Sequence, residues 1–165
     1  MTVPPYAVAY VVSLTAAWSS DHFNARALHS AALSAIGAIG FLASALLPPD
    51  AYHARYGCLI VAASGVFSCI PPLLGWLSSN VHTTAAAGLA IALNVSFGAL
   101  GQIVGVWIYK PDEKGNGYPT GHYTNMAMLL MVSVGCIGLR FYYQWRNARM
   151  KRSGGLSHTE REFAY

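Results

Sequence analysis

Residues 56–109 read YGCLIVAASGVFSCIPPLLGWLSSNVHTTAAAGLAIALNVSFGALGQIVGVWIY and contain no Asp, Glu, Lys or Arg. Only the polar cluster at 78–84 interrupts this apolar run. A membrane-spanning helix needs about 20 predominantly apolar residues, whereas a soluble domain of ordinary composition is about 25% charged. The run therefore predicts two transmembrane helices joined by a short polar turn.

The rest of the chain has a similar composition. Charged residues make up 10% of the sequence and hydrophobic residues 55%, and the charges are gathered in short islands between charge-free stretches. Each of these stretches is long enough for one apolar helix, and the run 56–109 is long enough for two. The sequence thus predicts an all-α membrane protein with five transmembrane helices, at about 3–19, 28–47, 57–77, 85–108 and 123–143.

Basic residues are concentrated in the tail at 144–165, after the last predicted helix. Cytoplasmic loops of membrane proteins carry an excess of Lys and Arg, so this tail is expected to be cytoplasmic. Alternation then places the loops at 20–27 and 78–84 on the same side, and those at 48–56 and 109–122 outside. Because the tail adjoins a span, membrane lipid is its nearest partner, and the net charge of +4 does not indicate nucleic-acid binding.

The fourth predicted helix has one small face that carries amides. Its members recur at intervals of three and four, and large apolar side chains cover the rest of the helix: Asn94, Gly98, Gly101, Gln102 and Gly105. Glycine at this spacing lets helix backbones approach closely, which favours helix packing. The alternative is that Asn94 and Gln102 face a substrate cavity, because amides at mid-membrane are costly unless they find partners.

The third predicted helix also has a face of small and polar residues, formed by Ser64, Ser68, Pro71 and Gly75. The Pro71-Pro72 pair removes two donors from the helical hydrogen-bond ladder, and the freed carbonyls need protein or water at membrane depth. A kink beside a cavity and a purely structural bend explain the pair equally well. Ser64 and Ser68, together with Tyr10 in the first helix, are weaker candidates for substrate contact than the amides of the fourth helix.

No pattern in the sequence indicates an enzyme. The six histidines lie at loop or span boundaries and divide between the two sides of the membrane, so they are not expected to form one metal site: His22, His29, His53, His82, His122 and His158. No predicted span contains a carboxylate that could act as a general base, and no phosphate-binding loop or nucleophile elbow is present. We therefore expect no catalytic residues, no bound metal and no cofactor.

Short motifs occur in a recognisable order along nearly the whole chain. They are Pro4-Pro5-Tyr6, Ser20 to Arg26, Arg55-Tyr56-Gly57, Pro71 to Asn80, His82-Thr83, Ile108 to Asp112 and Tyr118 to His122. Their order and spacing resemble the C-terminal half of a fungal major facilitator superfamily transporter, of the allantoate and nicotinate permease type of anion:cation symporter. On this resemblance the five predicted helices correspond to helices eight to twelve of the family.

The resemblance implies a twelve-helix transporter that binds a small organic anion between two six-helix halves and exposes it alternately to each side, with proton coupling. In the intact transporter we expect substrate contact from Asn94 first, from Gln102 next, and then from Ser64, Ser68 and Tyr10. We expect the plasma membrane as the location. The loop with Asp21 and Arg26 is expected to act in gating.

Two departures from the family pattern bear on gating. His22 stands where the family usually has a basic residue, and Thr84-Ala85 stands where a Lys-Arg pair is common. A chain with five such helices holds only one wall of the cavity. We therefore expect a fragment that does not transport unaided, because it lacks the N-terminal half of the transporter as its partner.

A different kind of protein would also fit the sequence. A small multi-span membrane protein that acts by assembly would use the face of Gly98, Gly101 and Gly105 to dimerise or to dock on another membrane protein. Replacing Gly101 should then disturb the assembly.

Overall fold

The computed structural model of the protein describes residues 3–81, 83–152 and 163–164. Within these ranges the chain is all-helical, as predicted. It forms five long α-helices and one short 3₁₀ helix: α1 (Val3–His22), α2 (Arg26–Leu46), α3 (Tyr52–Ser79), α4 (Thr84–Trp107), the 3₁₀ helix (Pro111–Asn116) and α5 (Pro119–Arg152). His82 and residues 153–162 and 165 of the predicted tail, which include His158, lie outside the described residues.

Four of these helices, α2 to α5, are long and apolar enough to cross a membrane. The first helix, α1, has the length for a span, at 20 residues, but it is not among the four. Two prolines, two tyrosines and several serines dilute the valines and alanines of α1. The helix predicted at 3–19 is therefore present, and its crossing of the membrane stays a prediction.

The last helix, α5, is longer than predicted. The expected end was residue 143, whereas the structure continues the helix to Arg152, so the first part of the predicted tail is helical. Residues 144–152 contain no Gly or Pro and are rich in Arg, Lys, Met and Gln, which have good helix propensity. Charge marks the end of an apolar span, but it does not mark the end of a helix.

The core of the bundle is the contact between α2 and α3, while α1 lies against α3 and α5 lies against α2. Glycines allow the two central helices to approach closely. A Cβ placed on Gly65 would lie 2.7 Å from the Cα of Gly37, and one placed on Gly40 would lie 2.9 Å from the Cα of Ala62. Neither backbone therefore has room for a larger side chain at this crossing.

Serine hydroxyls join the outer helices to this core. The Oγ atoms of Ser13 and Ser68 are 3.1 Å apart and connect α1 to α3. Ser133 Oγ donates to the carbonyl oxygen of Ala31 at 3.0 Å and connects α5 to α2. Because lipid tails are as apolar as the helices, close packing and such hydrogen bonds hold a membrane bundle together.

The fourth helix, α4, lies at the edge of the bundle. It packs lightly, against α3, and none of its described residues is buried. A Cβ added to Gly98, Gly101 or Gly105 would meet no atom within 4 Å. The small face of α4 therefore has no helix packed against it in the part of the chain that the structure describes.

Candidate functional site

A cavity of about 480 Å³ lies between α3, α4 and α5, and we call it the helix cavity. Its wall is mainly apolar, with four side chains that bear a polar nitrogen or oxygen atom: Trp76, Asn80, Asn94 and Tyr143. Small-molecule sites are commonly about 300–1,000 Å³ in volume and combine an apolar wall with a few polar groups. The helix cavity has this size and composition.

Asn94 is the predicted substrate residue that the structure brings to this cavity. Its side chain lines the helix cavity from α4 and is exposed, with no hydrogen bond to the described part of the chain. An amide offers two donors and one acceptor oxygen without adding a net charge to the bilayer. Asn94 is thus placed to meet a polar ligand group in a mainly apolar space.

The other four predicted substrate residues do not line this cavity. Gln102 is exposed, and it lies eight residues further along α4, about 12 Å along the helix axis. Ser68 is fully buried against α1, and Ser64 Oγ donates to the carbonyl oxygen of Ile60 at 2.8 Å. Tyr10 is 66% exposed on α1. Ser68 therefore joins α3 to α1, whereas the Ser64 bond lies within α3, and substrate contact by these four residues stays a prediction.

The proline pair lies beside the helix cavity. The third helix, α3, continues through Pro71 and Pro72, although neither residue can donate to the carbonyl four positions earlier. Ile70 and Leu73, on either side of the pair, both line the cavity. Pro71 and Pro72 do not themselves line the cavity, so both explanations of the pair stay predictions.

Arg26, the first residue of α2, connects the α1–α2 turn to the end of α3. Its Nε and Nη2 atoms lie 2.9 Å and 2.8 Å from Asp21 Oδ1. Its Nη1 atom donates to the carbonyl oxygen of Gly75 at 3.0 Å and to the hydroxyl of Ser79. A cation is favourable at a helix C-terminus, where carbonyls lack intrahelical partners. The two residues predicted to act in gating therefore contact each other and tie together three helices.

Ala164 makes a contact at the same end of α3 that was not predicted from the sequence. Trp76 Nε1 donates to the carbonyl oxygen of Ala164 at 2.8 Å. The Asn80 side chain accepts from Ala164 N at 2.9 Å and donates to its carbonyl oxygen at 3.3 Å. Ala164 therefore contacts two residues that line the helix cavity, Trp76 and Asn80.

The neighbouring residue, Phe163, is held in the same way by α5. The amide of Asn147 donates to the carbonyl oxygen of Phe163 at 2.8 Å and accepts from its N–H at 3.1 Å. The Phe163 ring stacks on Tyr143, with 5.0 Å between the ring centroids. The available signal was Asn147, an uncharged amide in a basic segment, but an amide in a sequence does not identify its partner.

Metal chemistry has no described basis in this chain. Among residues 3–81, 83–152 and 163–164, no three His, Cys, Asp or Glu side chains lie together in a group that could hold a metal ion.

The class of protein rests on the helices. Four long apolar helices support an integral, multi-pass membrane protein.

The chain is similar to two fungal transporters. It is 60% identical to the MFS transporter prlL of a fungal species (strain NRRL 50135), over all of this chain and 34% of that relative. It is 28% identical to Uncharacterized transporter C11D3.18C of Schizosaccharomyces pombe, over 73% of this chain and 25% of that relative. No family model matches the chain, and no solved structure matches it.

These similarities support the expected superfamily but not the expected subfamily. The chain spans about a third of the length of prlL, whose name places it among the major facilitator superfamily (MFS) transporters. Neither relative's name mentions an anion, a proton, allantoate or nicotinate. The transporter class is therefore supported, and the finer expectations belong to a proposal.

Proposed function

We propose that this chain forms part of the substrate pathway of a major facilitator transporter for a small organic anion, and that it is not an enzyme. Similarity to two proteins named as transporters supports the class. The observation that carries the proposal is the exposed face of α4, on which Asn94 borders the helix cavity.

The face of α4 suits a wall of a pathway better than a surface against lipid. In hydrocarbon the side-chain amides of Asn94 and Gln102 would lack hydrogen-bond partners. Transfer of an unpaired amide from water to an apolar solvent costs about 4–8 kcal/mol. Water or protein across the face removes that cost. In secondary transporters, substrate sites lie near the midplane at the interface of two repeats, which is where such a face belongs.

The partner across this face is proposed to be the rest of a longer transporter, its N-terminal half, or another membrane protein that takes its place. The chain covers 34% of prlL, so most of that relative has no counterpart among these residues. Alternating access needs two bundles that rock against each other around the site. We therefore propose that this chain does not transport by itself.

The finer features of transport rest on the family resemblance. They are proton coupling, a substrate of the allantoate or nicotinate type, location in the plasma membrane and a cytoplasmic C-terminus. The run 56–109 holds no Asp, Glu, Lys or Arg. Residues 52–55, which begin α3, also contain no Asp or Glu, so a carboxylate that carries the coupled proton would lie outside both α3 and α4.

An exchange with prlL tests the proposal. The chain replaces the matching segment of prlL, and uptake of a panel of radiolabelled organic anions into cells is compared for the chimera, for prlL and for the chain alone. We expect saturable uptake of the same anion by prlL and the chimera, and none by the chain alone. Saturable uptake by the chain alone would refute the need for a partner.

Asn94→Leu in the chimera tests the pathway itself. We expect uptake to fall about tenfold or more, because a hydrogen bond to a charged ligand group contributes about 1.5–3 kcal/mol. Ser96→Ala is the matched control, since the Ser96 hydroxyl donates within α4 to the carbonyl oxygen of Ala92 at 2.9 Å. Equal uptake by the two variants would remove Asn94 from the pathway.

A second candidate function is assembly through the glycines of α4. It is favoured by the open space at Gly98, Gly101 and Gly105. Gly101→Leu should then abolish self-association measured by energy transfer between labelled chains in vesicles. Gly88→Leu is the control, because Gly88 is equally open and lies about 140° around the helix from Gly101. If both variants associate like the wild type, self-association through this face is excluded.

A further inference from the structure

Phe163 and Ala164 contact the bundle although they lie far along the chain from it. Phe163 is eleven positions beyond Arg152, the last residue of α5. Both residues are nevertheless half-buried, and they contact side chains of α5 and of the end of α3. We call Phe163 and Ala164 the docked dipeptide. Its contacts have the form of those that a protein makes with a bound peptide.

Two asparagines bind the backbone of the docked dipeptide, one residue each. Asn147 of α5 donates to the carbonyl oxygen of Phe163 at 2.8 Å and accepts from its N–H at 3.1 Å. Asn80, which follows α3, accepts from the N–H of Ala164 at 2.9 Å and donates to its carbonyl oxygen at 3.3 Å. A side-chain amide carries donors and an acceptor together, so it can pair with both backbone groups of one residue. The two asparagines thus fix the position of two successive residues.

The first residue of the docked dipeptide is also held through its ring. The ring of Phe163 stacks on that of Tyr143, with centroids 5.0 Å apart and planes 11° from parallel. The guanidinium carbon of Arg146 lies 5.0 Å from the centroid of the Phe163 ring. Both contacts need an aromatic ring. In peptide recognition, backbone hydrogen bonds give affinity and side-chain contacts give specificity, and α5 supplies both for Phe163.

The second residue is held by the core of the bundle. The side chain of Ala164 packs against a cluster of buried residues, namely Ala27, Ala31, Trp76 and Cys136. Its carbonyl oxygen accepts from Trp76 Nε1 at 2.8 Å. An indole has a single N–H donor, so Trp76 cannot donate to another ligand while Ala164 is bound.

The docked dipeptide connects two helices that otherwise make few contacts. The close packing of α5 is with α2, and the helix cavity separates α5 from α3. Three side chains that line this cavity contact the docked dipeptide: Trp76, Asn80 and Tyr143. The docked dipeptide therefore both links α3 to α5 and uses polar groups that the cavity wall would otherwise offer to a ligand.

We propose that the ends of α3 and α5 form a peptide-binding site, and that the docked dipeptide is its intrachain ligand, which leaves and rebinds without unfolding of the bundle. The ligand class is a peptide with phenylalanine followed by alanine. Release frees the N–H of Trp76 and the acceptor oxygen of Asn80, and it removes a link between α3 and α5. The site is formed by the present chain alone, so it does not depend on the proposed transport pathway or on a partner across α4.

A synthetic peptide, Glu-Phe-Ala-Tyr with a fluorescent label and a C-terminal amide, is the probe for this site. Its binding to the purified full chain in lipid nanodiscs is measured by fluorescence anisotropy. Phe163→Ala weakens the intrachain ligand and should expose the site, so we expect saturable binding to this variant. The wild type should bind the peptide at least about tenfold more weakly, because a tethered ligand competes at a high effective concentration.

The matched control peptide is Glu-Ala-Ala-Tyr, which keeps the backbone and lacks the ring. It should not bind either chain saturably. Equal affinity of the wild type and the Phe163 variant for Glu-Phe-Ala-Tyr, or absence of binding to both, would overturn the proposal.

A second substitution in the Phe163→Ala chain locates the site. Adding Asn147→Ala should weaken binding of the peptide about tenfold or more, since two hydrogen bonds to its backbone are lost. Adding Asn125→Ala is the control, because Asn125 lies on the same helix but donates to the hydroxyl of Tyr109 at 2.9 Å. This control should keep the affinity of the single variant. Equal affinities for the two double variants would contradict the role given to Asn147.

Hydrogen exchange tests the same site in the wild type, without any substitution. The N–H groups of Phe163 and Ala164 both donate to asparagine side chains, so they should exchange more slowly than in the free peptide. Mass spectrometry with residue-level fragmentation measures this protection. Because the dipeptide leaves without unfolding, its exchange should still be faster than that of α3. Exchange as fast as in the free peptide, or as slow as in α3, would contradict a ligand that binds and leaves.

Discussion

The contact between α2 and α3 and the open face of α4 are built from the same kinds of residue and have opposite surroundings. In the first, Gly37 and Gly65 bring two backbones so close that neither has room for a Cβ. In the second, Gly98 and Gly101 have no other group within 4 Å of an added Cβ. Glycine at helical spacing thus predicts close approach, but it does not tell whether the approaching group belongs to the same chain.

The difference bears directly on function. The α2–α3 contact is complete within these residues, so it holds the fold together. The face of α4 is open within the described residues, and it also carries Asn94, whose amide borders the helix cavity. A face that combines glycine, amides and an adjoining cavity is expected to meet a partner that moves or a pathway that fills with water, rather than a fixed neighbour.

Gly65→Ala should have the largest effect of the substitutions that test this comparison. The added Cβ would lie 2.7 Å from both the Cα of Gly37 and the carbonyl oxygen of Leu33, and these backbone atoms cannot move aside as a side chain can. Overpacking of this kind costs about 1–3 kcal/mol, occasionally more. Unfolding in mixed detergent micelles, followed by circular dichroism, measures the loss of stability.

Gly98→Ala is the control for this experiment, because it makes the same chemical change in open space. We expect the control to unfold at or slightly above the wild-type detergent fraction, since alanine favours the helix. Equal destabilisation by the two substitutions would show that the contrast between the two regions is not real.

The sequence was sufficient to predict the helices, but it was not sufficient to predict what each helix contacts. Charge-free length predicted five helices in the right order, because the bilayer allows few other arrangements for such segments. It did not predict that α5 runs to Arg152, since hydropathy follows charge and not helix propensity. It could not assign a partner to the face of α4, because periodicity locates a face without identifying what lies opposite.

Ser133→Ala should have a smaller effect on stability than Gly65→Ala, and it also tests packing between helices of the described bundle. It removes the hydrogen bond from Ser133 Oγ to the carbonyl oxygen of Ala31, which joins α5 to α2. Such a bond contributes about 1 kcal/mol in proteins. The same unfolding measurement should show this loss, whereas Ser96→Ala on α4, which removes a bond within one helix, should leave the unfolding curve nearly unchanged. A larger loss for the Ser96 variant would contradict the assignment of α4 to the edge.

The candidate sites were predictable to different degrees. Asn94 could be found because an amide in an apolar helix is conspicuous, and the structure places it at a cavity. Ser68 could not be separated from a substrate residue, because a serine that packs and one that binds look alike in a sequence. The contacts of Arg55 with Gly117 and His122 could not be predicted, because these residues come from separate segments and meet only when the bundle forms.

Gly101→Ala tests the open face of α4. Its effect on stability should be smaller than the effects of Gly65→Ala and Ser133→Ala. In the chain alone the added methyl group meets no atom, so the gain in helix propensity should stabilise the protein by about 0.5 kcal/mol. Gly88→Ala gives the same gain on a different face of α4 and serves as the control. The two variants should therefore have matching unfolding curves in the chain alone.

In the chimera with prlL the two variants should differ. If the rest of the transporter lies against the face of Gly101, the methyl group there separates two closely packed backbones, and uptake should fall in this variant alone. The stability of the isolated chain and the activity of the chimera would then respond oppositely to the same methyl group, as expected of a surface whose partner lies outside these residues. Matching behaviour of both variants in both settings would mean that the glycines of α4 face lipid, and the contrast with the α2–α3 contact would have no bearing on transport.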